Sequence, residues 1–139
     1  MVLNEEQMKE KYKEFQYIQK QIEQVSEHIE MLNQQRGELD ATISAMNDLV
    51  LVEPNSEILA PIANGIFIKG TITDKKLVVN VGADTTVERT IAEVITLLEK
   101  QKEEITENTV NTEKIMHELT QHAMTIFRDV EENVQQTEE

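Results

Sequence analysis

The chain has 139 residues with three Phe, two Tyr and no Trp, which leaves room for one structural unit and excludes a large aromatic core. Its 27 acidic against 13 basic residues give a net charge of −14, which argues against binding a phosphate backbone or an anionic membrane surface. There is no cysteine, so disulfides and thiol catalysis do not enter.

The first predicted element is a helix over residues 4–52. Asn4 can cap it, and Glu5 and Glu6 suit the positive end of the helix dipole. Met8, Phe15, Ile22, Ile29, Arg36, Ile43 and Val50 recur at heptad position a, with Lys11, Ile18, Val25, Leu32, Leu39 and Met46 at position d. Eleven of these thirteen sites are apolar, and Glu, Gln, Lys and Asn dominate between them. So narrow a stripe, repeating every 3.5 residues, is a coiled-coil seam. Pro54 stops the helix, because the residue before a proline is pushed out of helical geometry.

Over residues 57–87 the period changes to two. Ile66, Ile68 and Ile72 alternate with Phe67, Lys69 and Thr71, and Leu77-Val78-Val79-Asn80-Val81 is short and β-branched. Asn64-Gly65, Thr73-Asp74-Lys75 and Gly82-Ala83-Asp84 are turn signals, so strands are expected near 57–61, 65–72, 76–81 and 84–87 as two hairpins. Pro61 cannot donate to a ladder and belongs at an edge or a strand end. Two hairpins alone are marginal in water and leave open edges, so they require company from other chains.

The second helix is expected over 88–136. Its early frame is Val87, Ile91, Val94, Leu98 and Ile105, interrupted by Gln101 and Asn108. From Met116 the stripe reads Met116, Leu119, Ala123, Ile126 and Val130, displaced by four residues, which predicts a stutter. If the chain folds back, Val50 meets Val87, Met46 meets Ile91, Leu39 meets Leu98, and Lys11 falls near Asp129. The fold class is therefore α+β, mostly α: a long antiparallel coiled-coil hairpin with two β-hairpins between the helices.

Residues that carry catalysis are not found. His28, His117 and His122 read as solvated helix-surface residues, and no phosphate loop, zinc motif or calcium loop occurs. No catalytic residue, metal or cofactor is assigned, and an enzyme is not expected. The start of the chain lacks a basic segment followed by an apolar run, and no stretch approaches the roughly 20 apolar residues that span a bilayer. A soluble cytoplasmic protein without membrane or nucleic-acid partners is the expectation. What remains is an apolar cluster at the ends of the helices, with Tyr12, Phe15 and Tyr17 on the first, near Met8, and Met124, Phe127, Val130 and Val134 on the second. Such a cluster either widens the packing or presents an adaptable binding patch, a role that suits methionine.

The run Glu57-Ile58-Leu59-Ala60-Pro61-Ile62-Ala63-Asn64-Gly65-Ile66-Phe67-Ile68-Lys69-Gly70 resembles the strand, proline, glycine turn and second strand of a prefoldin alpha-class subunit of the archaeal type. Lys76-Leu77-Val78-Val79-Asn80-Val81-Gly82-Ala83-Asp84, followed by Val87-Glu88-Arg89-Thr90, resembles that family's next hairpin and its entry into the second helix. The resemblance covers essentially the whole chain, and two hairpins rather than one is the alpha-class feature. It implies a hexamer of two alpha and four beta subunits, whose hairpins join into an intersubunit double β-barrel bearing six coiled-coil arms. It also implies an ATP-independent holdase that grips unfolded polypeptides at the arm tips and delivers them to a group II chaperonin. On that reading Met8, Tyr12, Phe15, Met124, Phe127 and Val130 bind substrate, and Ile58, Leu59, Ile66, Ile68, Val79 and Val81 serve oligomerisation. Two rival readings stay open: a structural spacer or filament-forming relative, and an adaptor whose tips bind one specific partner.

Overall fold

The computed structural model describes residues 3–138, with side chains placed as far as Asn133. Its elements are α1 (Glu5–Val50), β1 (Glu57–Ala63), β2 (Ile66–Thr71), β3 (Leu77–Gly82), β4 (Thr85–Arg89) and α2 (Ile91–Glu138). The sheets are two separate antiparallel hairpins, β1–β2 and β3–β4. Contacts divide the chain into two units, one of residues 1–36 with 104–139 and one of residues 37–103.

In the first unit the start of α1 carries a reciprocal cap. The Gln7 amide donates to Asn4 Oδ1 at 2.8 Å, and the Asn4 amide donates to Gln7 Oε1 at 3.1 Å. The Leu3 amide donates to Asn133 Oδ1 at 2.9 Å, so the two helices run antiparallel here. Ile18, Ala123 and Ile126 are buried between them, with Phe15, Ile22, Leu119 and Val130 packed against that centre. Lys11 is half-buried in the seam as the stripe requires, and Asp129 answers it at 3.7 Å.

The expected stutter in α2 is absent. Ile105, Thr109, Thr112, Met116, Leu119, Ala123 and Ile126 are all buried or half-buried in one unbroken heptad frame, while Asn108 is exposed. Thr109 and Thr112 are only 4% and 6% exposed. Each hydroxyl donates to its own helix, Thr109 to the Ile105 carbonyl at 2.8 Å and Thr112 to the Asn108 carbonyl at 2.7 Å. With its hydroxyl satisfied four residues back, a threonine turns its methyl to the seam and occupies a core position despite being polar.

In the second unit α2 opens later than residue 88. β4 runs to Arg89, and Thr90 caps the helix through a 3.2 Å bond from the Glu93 amide. Val87, expected as a helical seam residue, instead pairs with Val79 across the hairpin. Its presumed partner Val50 is 51% exposed, and Leu49 takes the half-buried place. Lys102 is half-buried on the α2 stripe where Gln101 was expected, and it pairs with Asp40 of α1.

The hairpins show their turn chemistry. In β1–β2, Leu59 faces Lys69 and Ala60 faces Ile68, and the register shifts between Pro61 and Ala63. The bulge opens beside the one residue with no N–H to give. Gly65 closes the loop with φ +76°. In β3–β4 both Ala83 (φ 49°) and Asp84 (φ 57°) are left-handed, the conformation of a type I′ turn. Asn80 is exposed, and its Oδ1 accepts from the Gly82 amide at 2.9 Å, bracing that turn.

Candidate interaction surfaces

Two surfaces stand out, one on the hairpins and one on the paired helix ends. Strand pleating puts Ile58, Ala60, Ile66 and Ile68 on one face of β1–β2, with Leu59 and Phe67 on the other. Ile58 is 40% exposed, and Leu59, Ile66, Phe67 and Ile68 are each more than half exposed. Both faces are therefore largely apolar and uncovered, which a monomeric soluble domain seldom tolerates. The Glu57–Lys69 ion pair, at 3.8 Å, borders the Leu59 and Phe67 face. On β3–β4, Val81 is 59% exposed and Val79 half-buried. Val79, Val81 and Val87 border an open groove of about 320 Å³ whose other wall is Val94 and Leu97 of α2.

At the helix ends the expected cluster divides in two. Met8, Phe15 and Val130 are half-buried, with Phe15 and Val130 packed on the Ile18–Ile126 centre. Tyr12 (61%), Met124 (55%) and Phe127 (58%) are exposed. The Phe15 and Phe127 rings lie 6.3 Å apart, tilted by 39°, so a covered ring supports an uncovered one. Glu14 and His122 meet across the helices at 3.2 Å.

Two cavities adjoin at this place. One, of about 300 Å³, is lined by Phe15, Thr120, Met124, Phe127, Arg128 and Glu131. The other, of about 540 Å³, is lined by Phe15, Gln16, Gln19, Lys20, Ile22 and Glu23. Phe15 and Ala123 belong to both. Gln16 and Gln19 were not singled out from sequence, because exposed glutamine is common on a coiled-coil surface and only the cavity distinguishes these two.

Among the described residues no cluster of three or more acidic or histidine side chains is arranged to hold a metal ion, and no helix is long and apolar enough to cross a membrane.

Comparison with known proteins accounts for this layout. The prefoldin subunit family profile matches residues 5–136. The chain is 33% identical to prefoldin subunit alpha of Pyrococcus horikoshii over 95% of its own length and 90% of that protein's. It is 27% identical to prefoldin subunit alpha of Methanococcus aeolicus, over 96% and 91% of the two chains. A cryo-EM structure of filamentous prefoldin from Methanocaldococcus jannaschii superposes with a TM-score of 0.69 at 17% identity, over 82% of this chain and 95% of that one, a likeness of fold. Two capped seven-residue-repeat helices enclosing two uncovered hairpins, matched along nearly the whole chain, make this protein an alpha-class member of the prefoldin family, a subunit of a chaperone complex.

Proposed function

We propose that this subunit serves an ATP-independent holdase which captures non-native polypeptides at the paired helix ends and passes them to a group II chaperonin. The observation that carries the reading is the division of the end cluster into a covered layer and an uncovered one. Phe15 and Val130 brace the packing, while Tyr12, Met124 and Phe127 lie open above it. An exposed aromatic and thioether surface on a rigid base suits many apolar segments without selecting one shape. Nothing in this chemistry calls for a nucleotide.

The hairpins support the assembly half of the proposal. Ile58, Leu59, Ile66, Ile68, Val79 and Val81 would be covered by neighbouring subunits in a double β-barrel of two alpha and four beta chains. The uncovered apolar faces of both hairpins favour this, since burying them is favourable by about 25 cal/mol per Å². On this reading the complex works in the cytoplasm. A filament-forming relative remains the second reading, favoured by the fold likeness to a filamentous prefoldin.

Light scattering of a chemically unfolded, aggregating protein tests the proposal, with this chain added alone and then with a beta-class subunit. The proposal expects suppression without ATP by the mixed complex. A well-formed complex that leaves aggregation unchanged would contradict it.

A further inference from the structure

The exposed aromatic surface explains why apolar side chains would be held, but not why a non-native chain would be preferred to a folded protein with a similar patch. Non-native segments also differ in their backbone: the peptide N–H and C=O groups are bonded to water and can exchange it for another partner. Gln16 and Gln19 line the larger cavity beside Phe15, and both are exposed. Neither side-chain amide is held by another described residue, unlike Gln7, bound in the cap, or Gln21, which donates to the Tyr17 hydroxyl at 3.2 Å. Each glutamine amide offers both a donor and an acceptor, as a peptide group does.

The spacing fits as well. Residues three apart on a helix place their Cβ atoms about 5–6 Å apart. Alternate peptide groups of an extended chain repeat at about 6.6 Å, twice the rise per residue, and a glutamine side chain can span the difference. Charge narrows the occupant further. The lining of each cavity includes one cation and one carboxylate, Lys20 with Glu23 and Arg128 with Glu131, so neither cavity favours a strongly charged segment.

We propose that Gln16 and Gln19 read the peptide backbone of the captured client, hydrogen-bonding an extended, uncharged segment whose apolar side chains rest on Met124 and Phe127, with Phe15 as the packed layer beneath. The inference rests on the capture reading above. It adds a specificity device: a helix or sheet whose backbone is already paired gains nothing from the two glutamines.

The test uses the full chain assembled with a beta-class subunit and two fluorescent peptides. One alternates leucine and serine, and the other is the same sequence N-methylated at alternate peptide bonds. The expected result is binding about five- to thirtyfold weaker for the methylated peptide, the loss of one or two hydrogen bonds. Gln16→Met with Gln19→Met keeps side-chain length and helix propensity, so the fold is retained, and this variant should bind both peptides alike. Equal binding of the two peptides by the unaltered complex would overturn the inference while leaving capture intact. So would tighter binding of an amphipathic helical peptide, or discrimination that survives the double substitution. If neither peptide nor a chemically unfolded protein binds at all, the capture reading fails and takes this inference with it.

Discussion

The Phe15 and Phe127 rings meet at 6.3 Å, yet Phe15 is packed into the Ile18–Ile126 centre while Phe127 is 58% exposed. Two aromatics one contact apart therefore hold different jobs, and substitution should separate them. Phe127→Ser should cost about 1 kcal/mol or less, the worth of an exposed ring contact, and weaken suppression of aggregation. Phe15→Ser should cost roughly 1–3 kcal/mol, because it also empties part of the packed layer. Thermal denaturation beside the scattering assay distinguishes them. Equal losses of stability would contradict the layered arrangement.

The hairpin assignment has a similar internal control. Ile66 is 58% exposed in the chain alone, so Ile66→Asp should change its stability by no more than about 0.5 kcal/mol. In the assembly the same substitution would bury a carboxylate without a partner, which is strongly unfavourable. The expected outcome is a folded chain by circular dichroism that no longer enters a mixed complex by native mass spectrometry. A normal complex from this variant would remove Ile66 from the interface.

Much of this architecture was legible from residue pattern. The seven-residue stripe of α1 and the Gly and Asn turn signals lie where the first helix and the two hairpins form, and Asn4 caps α1. The differences along the seam of α2 share a cause. Reading a seam by residue type skips Thr109, Thr112 and Lys102, since a back-bonded hydroxyl or an ion-paired ammonium does not look apolar. Val87 was ambiguous because a single β-branched residue fits a strand as well as a helical seam. The sequence Thr90-Ile91-Ala92-Glu93 carried the signal that would have resolved it, a capping residue with Glu three positions on. At the helix ends, aromatic and methionine content marked the cluster, but which members lie open depends on the helices' mutual rotation, which residue type does not specify.

The seam threonines lead to a prediction of their own. Thr109→Val keeps the shape and removes a hydroxyl whose acceptor, the Ile105 carbonyl, remains available to the helix ladder. The change should be neutral or stabilising by up to about 1 kcal/mol in chemical denaturation. Thr109→Asn should destabilise by about 1–3 kcal/mol, because the larger amide has no comparable partner in a site only 4% exposed. Loss of stability from the valine variant would show that the hydroxyl does more than satisfy itself.

The β3–β4 turn holds Ala83 at φ 49°, a left-handed conformation that costs an L-residue roughly 1–2 kcal/mol. Ala83→Gly removes that strain, and Ala83→Asn suits the first central position of a type I′ turn. Either should raise the denaturation midpoint, by about 0.5–1 kcal/mol in stability. A fall would mean that the alanine methyl makes a contact the turn depends on.

The central claim is that clients are held at the paired helix ends, and site-specific photo-cross-linking tests it most directly. A photoreactive residue is placed in turn at Phe127, Met124 and, on a hairpin, Val78, which is 69% exposed. The assembled complex is then irradiated with a chemically unfolded protein in the absence of nucleotide. The account predicts client adducts through positions 124 and 127 and few through position 78. Adducts concentrated at position 78, or none at the helix ends while aggregation is still suppressed, would contradict it.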